Sequence, residues 1–259
     1  MKSLDLDDLG DIPGRRIEKK DAFCFECRPD LACFNLCCRN LNLFLYPYDV
    51  LRLKNNLGLS SGDFIDRHTD VVLRPDNHFP DVLLRMADNE EQTCPFLNEN
   101  GCSVYPDRPD TCRTFPVEQG LIFKGKGKPE PVHFFRPPSF CLGQNESRTF
   151  TLDTWAKNQD AATYNTMTVL WSELKSLFMN NPWGMEGPSG PRAKMAFMAA
   201  YNVDSFRQFV FESSFLKRYK VKSDLQKKIY KNDVELMKFG FAFIKTTLFG
   251  ISSSLLRLK

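Results

Sequence analysis

The residues with the clearest chemical potential are nine cysteines between Cys24 and Cys141, with none in the 118 residues that follow. After Cys24 they run Cys27-x5-Cys33-x3-Cys37-Cys38, then Cys94-x7-Cys102-x9-Cys112, then Cys141. Thiolate sulfur is a soft ligand favoured by zinc, iron–sulfur clusters and copper(I), and four sulfurs complete a tetrahedral shell. Eight cysteines can fill two shells. The adjacent side chains of Cys37 and Cys38 diverge in most backbone conformations, so they suit two neighbouring metals, or one site plus a free thiol. Ordinary buried cysteines, packed as small hydrophobes, are the plainer reading of each position taken singly. That reading leaves their confinement to one half of the chain unexplained.

The stretch "TCPFLNENGCSVYPDRPDTCRTFPV" carries three of these thiols. Asn100-Gly101 is a tight-turn pair that folds Cys94 and Cys102 toward each other across a hairpin. Pro109 places Cys112 in a first helical turn, where the helix N-terminus and the flanking Arg108 and Arg113 favour thiolate. Cys24 could extend a C-x2-C pair with Cys27 or lie outside the cluster. His68, His78 and His133 could add nitrogen ligands, but each reads more simply as structural. Around a reactive metal the polar groups would be Arg39, Asp49, Arg108, Asp110 and Arg113, with Tyr46 and Tyr105. Hydrogen bonding to sulfur and helix capping are the simpler roles for them.

The elements that must position the cysteines are short. "LYPYDVLRLKNNLGLSSGDFIDRH" predicts a helix over Tyr48 to Asn56 stopped by Gly58, then a second over Asp63 to His68 capped by Ser60 or Ser61. "VVLRPDNHFPDVLLRM" predicts a strand pair, and "LIFKGKGKPEPVHFF" repeats that pattern around a glycine and proline turn. "TFTLDTWAKNQDAATYNTMTVLWSELKSLFM" is read as one helix, because Trp155, Tyr164, Met167, Leu170, Trp171, Leu174 and Leu177 recur at three- and four-residue steps. "NNPWGMEGPSGPR" reads as a loop, and two further amphipathic helical regions follow. The expected class is α+β. It comprises a flexible segment 1–22, an irregular metal-bound module of short helices and hairpins over 23–150, and a helical region over 151–259.

The chain has 259 residues, 42% of them hydrophobic, enough for a core without disulfides. Its opening residues match neither a secretory signal nor a transit peptide, so a cytoplasmic, reducing compartment is expected, where clustered cysteines serve metals or redox chemistry. The formal charge of +3 hides an asymmetry: residues 215–259 hold eleven Lys and Arg against three Asp and Glu. Such basic helices could contact an anionic surface, although a solvated helix face gives the same count. No apolar run is long enough for a membrane span, and "FGFAFIKTTLFGISSSLL" reads as a packing or surface-lying helix. No nucleic-acid motif is evident. The basic "KGKGK" at 124–128 sits in a hairpin turn and is not a phosphate loop.

Three stretches resemble a known family: "CRPDLACFNLCCRNLNLFLYPYDVLRLKNNLGLSSGDFI", "CPFLNENGCSVYPDRPDTCRTFP" and "CLGQNESRTFTLDTWAKNQDAATYNTM". The family is the cysteine-cluster group of zinc- or iron-chelating proteins, the YkgJ-like proteins of bacteria. Its short form is C-x2-C-x2-C-C, so the C-x5-C-x3-C-C of this chain resembles a subgroup with longer spacing. The resemblance implies metal binding by Cys27, Cys33, Cys37, Cys38, Cys94, Cys102, Cys112 and Cys141. It implies zinc or iron, the latter alone or in an iron–sulfur cluster, with a structural or protein-partner-binding role. The alternative is a metalloenzyme or iron–sulfur redox protein acting in protein modification. No glycine-rich nucleotide loop and no C-x3-C-x2-C radical signature accompanies the cysteines.

Overall fold

The computed structural model describes residues 2–4, 12–74, 77–122 and 130–259. The fold is mixed α+β with a helical C-terminal region. Its backbone gathers into two compact units, residues 1–43 with 85–173, and residues 44–84 with 174–259. Both units are discontinuous in sequence, whereas the division expected from the cysteines was linear. All nine cysteines belong to the first unit.

In the first unit a four-stranded sheet runs in the order Lys2–Leu4, Val117–Ile122, Glu130–Phe135, Arg15–Ile17. Val117–Ile122 and Glu130–Phe135 form the expected antiparallel hairpin, with Val117 opposite Phe135. Its turn, including "KGKGK", lies outside the described residues. The segment expected to be flexible supplies strand Arg15–Ile17, because Ile17 is buried in the core. That core joins Phe23, Phe25, Val117, Cys141, Phe150, Leu152 and Trp155. The Trp155 ring meets Phe25 edge-on at 5.5 Å, and its indole N–H donates to the carbonyl of Thr114 at 2.9 Å. One aromatic side chain thereby holds the segment leading into Cys27 against the segment leaving Cys112.

The single helix expected after residue 150 is two, Leu152–Asn158 and Ala162–Leu177. The break falls at Asp160, whose φ of 50° lies in the left-handed region that aspartate tolerates better than most residues. The nine-residue step from Trp155 to Tyr164 is half a turn out of phase with the steps that follow it, so the apolar stripe is itself interrupted where the helix divides.

In the second unit the helix Pro47–Asn56 is followed by Ser61–His68, whose Ser60 cap accepts from the Asp63 N–H at 3.0 Å. Strands Thr69–Val72 and Asp81–Leu84 pair antiparallel as expected, and Phe44–Leu45 extends the sheet. Helices Pro191–Tyr201, Val203–Glu212, Phe215–Arg218, Ser223–Lys231 and Asp233–Phe249 complete it. The last packs inward through Leu236, Met237, Phe239, Phe241, Phe243 and Ile244. Gly240 makes this possible, since a Cβ there would lie 2.2 Å from the Ala199 carbonyl oxygen. Among the described residues no helix is long and apolar enough to cross a membrane.

Candidate metal centre

The Cys37-Cys38 pair sits in a single 3-10 turn, Leu36–Cys38, bent at both ends by left-handed asparagines, Asn35 at φ 65° and Asn40 at φ 48°. Asparagine adopts that region at low cost, which lets the chain reverse twice around the two thiols. The loop before Cys94 bends similarly at Gln92, φ 47°. The two bends are clipped together: the Asn40 N–H donates to the Gln92 carbonyl at 3.0 Å and the Cys94 N–H to the Cys38 carbonyl at 2.8 Å. Arg39 and Thr93 form a β-bridge between them.

Cys102 lies on the short strand Gly101–Cys102, opposite Leu97. The hairpin is as expected, but the two-residue loop is Glu99-Asn100, with Gly101 at φ 107° opening the returning strand. Cys112 falls inside the five-residue helix Asp110–Thr114. Cys141 is carried to the first run by the close approach of Gly143 to Glu26, whose N–H donates to the Gly143 carbonyl at 3.0 Å. The Leu142 N–H donates to the Cys33 sulfur at 3.2 Å.

Electrostatics brings all eight cysteines named by the resemblance into one network. Burial first, then the charges of Cys37, Cys141 and Cys33, push the Cys27 thiol up to about 11. Burial likewise raises Cys141, with contributions from Cys33 and Cys37. Cys38 is raised chiefly by donating a hydrogen bond to Cys37, then by burial and by Cys37, Cys112 and Cys94. The same bond from Cys38 lowers Cys37 to about 7. Burial raises Cys94 and Cys102, with Cys102 and Cys37 adding to the first and Cys37 to the second. Cys24 is exposed, and its sulfur lies 3.6 Å from the Thr149 hydroxyl.

The donors around these sulfurs suit a thiolate-bound cation. Besides Leu142 on Cys33, backbone N–H groups of Phe96 and Leu97 meet Cys94, that of Val104 meets Cys102, and those of Gly143 and Gln144 meet Cys141. Amide donors stabilise the anionic form and steady a ligand's orientation. Among the described residues no three Cys, His, Asp or Glu side chains stand together in coordinating positions. The sulfurs share a neighbourhood but still face one another as thiols, as the Cys38–Cys37 bond illustrates.

The flanking polar groups are occupied in positioning. Arg108 donates to the Tyr105 carbonyl and to Gln159 Oε1, both at 2.7 Å, and stacks over the Tyr105 ring. Arg113 donates to the carbonyls of Gln159 and Pro106, at 2.6 and 2.5 Å, beside the Tyr164 ring. Asp110 accepts from the Thr168 hydroxyl at 3.0 Å in a buried setting, and burial raises its pKa. Arg39 pairs with Glu91. Asp49 and Tyr46 belong to the second unit, where the Asp49 carboxylate caps its helix by accepting from the Tyr46 N–H at 2.8 Å. His68 and His78 are also in the second unit, and His133 sits in the sheet opposite Ile17 with its pKa lowered by burial.

The family model described as "CxxCxxCC: Putative zinc- or iron-chelating domain" matches residues 26–141. No curated protein and no solved structure matches the chain significantly. The matched span opens one residue before Cys27 and closes on Cys141, so it encloses all eight networked cysteines and leaves out Cys24. Over residues 26–141, just under half of its length, the chain is similar to the CxxCxxCC family of cysteine-cluster domains.

Proposed function

We propose that Cys27, Cys33, Cys37, Cys38, Cys94, Cys102, Cys112 and Cys141 chelate zinc or iron, and that the centre serves to hold a partner-binding surface in shape. The supporting observation is that hydrogen bonds draw the three cysteine-bearing stretches together, the Cys94 N–H on the Cys38 carbonyl, the Glu26 N–H on the Gly143 carbonyl and the Leu142 N–H on the Cys33 sulfur. Bound cation supplies Lewis acidity that displaces thiol protons and ties the three stretches together. Nine cysteines, none of them in a disulfide, suit a reducing, cytoplasmic setting.

A metalloenzyme or iron–sulfur redox reading would use the same sulfurs. The structural reading is favoured because Arg108, Arg113 and Asp110 are committed to backbone and hydroxyl partners rather than aimed at a reacting group. Anaerobic purification with elemental analysis and an absorption spectrum tests both. Colourless protein with tightly held zinc, eight thiols shielded from alkylation and Cys24 modified is expected. A brown chromophore selects the iron–sulfur reading, and metal-free protein with all nine thiols reactive overturns chelation.

A second surface is favoured by the strand pair Tyr219–Lys220 and Arg257–Leu258, which sets Arg257 opposite Lys220. The Lys259 N–H donates to the Arg218 carbonyl at 3.0 Å, adding two further cations. This ribbon is suited to an anionic surface. Salt-sensitive retention on phosphatidylserine vesicles, lost on reversing these four charges, is expected; retention unchanged by the reversal would exclude it.

A further inference from the structure

We propose that strand Thr69–Val72, lengthened to Arg74, pairs edge to edge with the same strand of a second copy of this chain, antiparallel and centred on Val72. The second unit thereby carries a reversible homodimer surface that does not depend on the cysteines.

Thr69–Val72 is the outer member of the sheet that runs Phe44–Leu45, Asp81–Leu84, Thr69–Val72, so among the described residues no strand lies along its second edge. Thr69 is buried, whereas Asp70, Val71, Val72, Leu73 and Arg74 are all exposed. Val71 is 48% exposed, Val72 36% and Leu73 44%. Successive residues of a strand point to opposite sides, so these three aliphatic groups leave apolar surface on both faces. Among the described residues, no turn or loop bond uses their backbone groups. An exposed edge of this kind is a template for one more strand.

The order of the residues selects the incoming strand. Asp70-Val71-Val72-Leu73-Arg74 reads acidic, apolar, apolar, apolar, basic. Antiparallel pairing about a two-fold axis at Val72 sets Val72 against its own copy, and twice over it sets Val71 against Leu73 and Asp70 against Arg74. Every apolar group then meets an apolar group and every charge its opposite, at the directly opposed positions where cross-strand side chains interact most. A slip of one residue sets Asp70 against Leu73 or Val71 against Arg74, and parallel in-register pairing sets like charge against like. The guanidinium of Arg74 is already held at this end of the strand: its Nε and Nη2 donate to a single oxygen of Asp81 at 2.9 and 2.6 Å, while half of the side chain is exposed. Charges at the ends of an edge strand ordinarily guard against pairing, but here their opposite signs favour this one register. Five paired residues a side are far fewer than the about 20–30 of a standard interface, so the dimer is weak and its population follows concentration.

Sedimentation velocity of the full chain under reducing conditions, over a series of concentrations, tests the pairing. The average sedimentation coefficient should rise with concentration, and hydrogen exchange of the 70–74 amides should slow in step. Asp70→Lys and Arg74→Glu each set like charges against one another, so each alone should abolish the rise. An equimolar mixture of the two variants opposes unlike charges at both ends and should restore it. Val72→Lys brings two ammonium groups together at the axis and should also abolish the rise, without touching the Arg74–Asp81 contact. A chain that stays monomeric at every concentration, with 70–74 exchanging freely, overturns the proposal and leaves the edge to a foreign extended segment. A dimer that survives all three substitutions is built on another surface and overturns it equally. A mixture that stays monomeric, with both variants folded by circular dichroism, overturns the register.

Discussion

The backbone N–H of Cys94 donates to the carbonyl oxygen of Cys38 at 2.8 Å, joining the first cysteine run to the second by main chain rather than by sulfur. With the Asn40–Gln92 bond and the Arg39–Thr93 bridge it forms a short clip, solvated on much of its surface. The sheet beside it has a buried aromatic core of its own. Chelator treatment is therefore expected to speed amide exchange across 36–41 and 92–97 while strands Val117–Ile122 and Glu130–Phe135 remain protected. Hydrogen exchange with mass spectrometry checks this, and uniform loss of protection would show that the sheet depends on the cation too.

Gly143 holds Cys141 against the first run. Because an added Cβ would meet the Glu26 carbonyl at 2.5 Å and the Phe25 ring at 3.0 Å, Gly143→Ala must push the two strands of chain apart. The cost is about 1–3 kcal/mol, the usual range for overpacking. Denaturant unfolding should register it, and Cys27 in the same variant should alkylate faster.

In metal-free protein Cys37 should be the most readily alkylated of the eight, because the Cys38 hydrogen bond lowers it to about 7 whereas Cys27 stands at about 11. Its rate should fall as pH drops below that value and the thiolate is protonated. Cys38→Ala removes the donor and should slow Cys37. Time-resolved mass mapping with iodoacetamide reads both effects.

Zinc affinity should rise with pH. Cys27, Cys94, Cys102 and Cys141 are raised by burial, so near neutrality they hold protons that the cation must displace. The logarithm of the apparent association constant should climb by roughly one per pH unit for each proton released. Chromophoric-chelator competition between pH 6 and 8 measures that slope; a flat profile would mean that thiolates exist before binding.

The second unit has its own acid-sensitive contact. Burial opposes the charge on Asp204, but the Ser61 N–H at 2.7 Å, its hydroxyl at 2.9 Å and the Lys54 ammonium hold the carboxyl below its ordinary range. A folded pKa below the unfolded value of about 3.9 stabilises fully above that value and ceases to do so as pH falls through the folded one. Asp204→Asn should cost about 1–2 kcal/mol at pH 7, leaving buried Lys54 with Asp233, and should flatten the acid limb. Thermal melts from pH 3 to 7 follow it.

Local signals were legible wherever a few neighbouring residues decide the outcome. Ser60 caps Ser61–His68, Gly58 follows the helix ending at Asn56, and Pro109 precedes the turn holding Cys112, because each acts on backbone within a few residues. The break at Asp160 left a trace in the nine-residue step from Trp155 to Tyr164, half a turn out of phase, which a reading of one continuous stripe passes over. The grouping of 44–84 with 174–259 was not legible, since it depends on contacts between stretches remote in sequence.

By itself, the sequence determined that the cysteines form a class apart, since their number, adjacency and absence from the last 118 residues are facts of composition. It also carried the family pattern over 26–141. Only the tertiary structure decided which cysteine neighbours which. Spacing along a chain does not report the hydrogen bonds that bring the Cys94 N–H to the Cys38 carbonyl and the Leu142 N–H to the Cys33 sulfur.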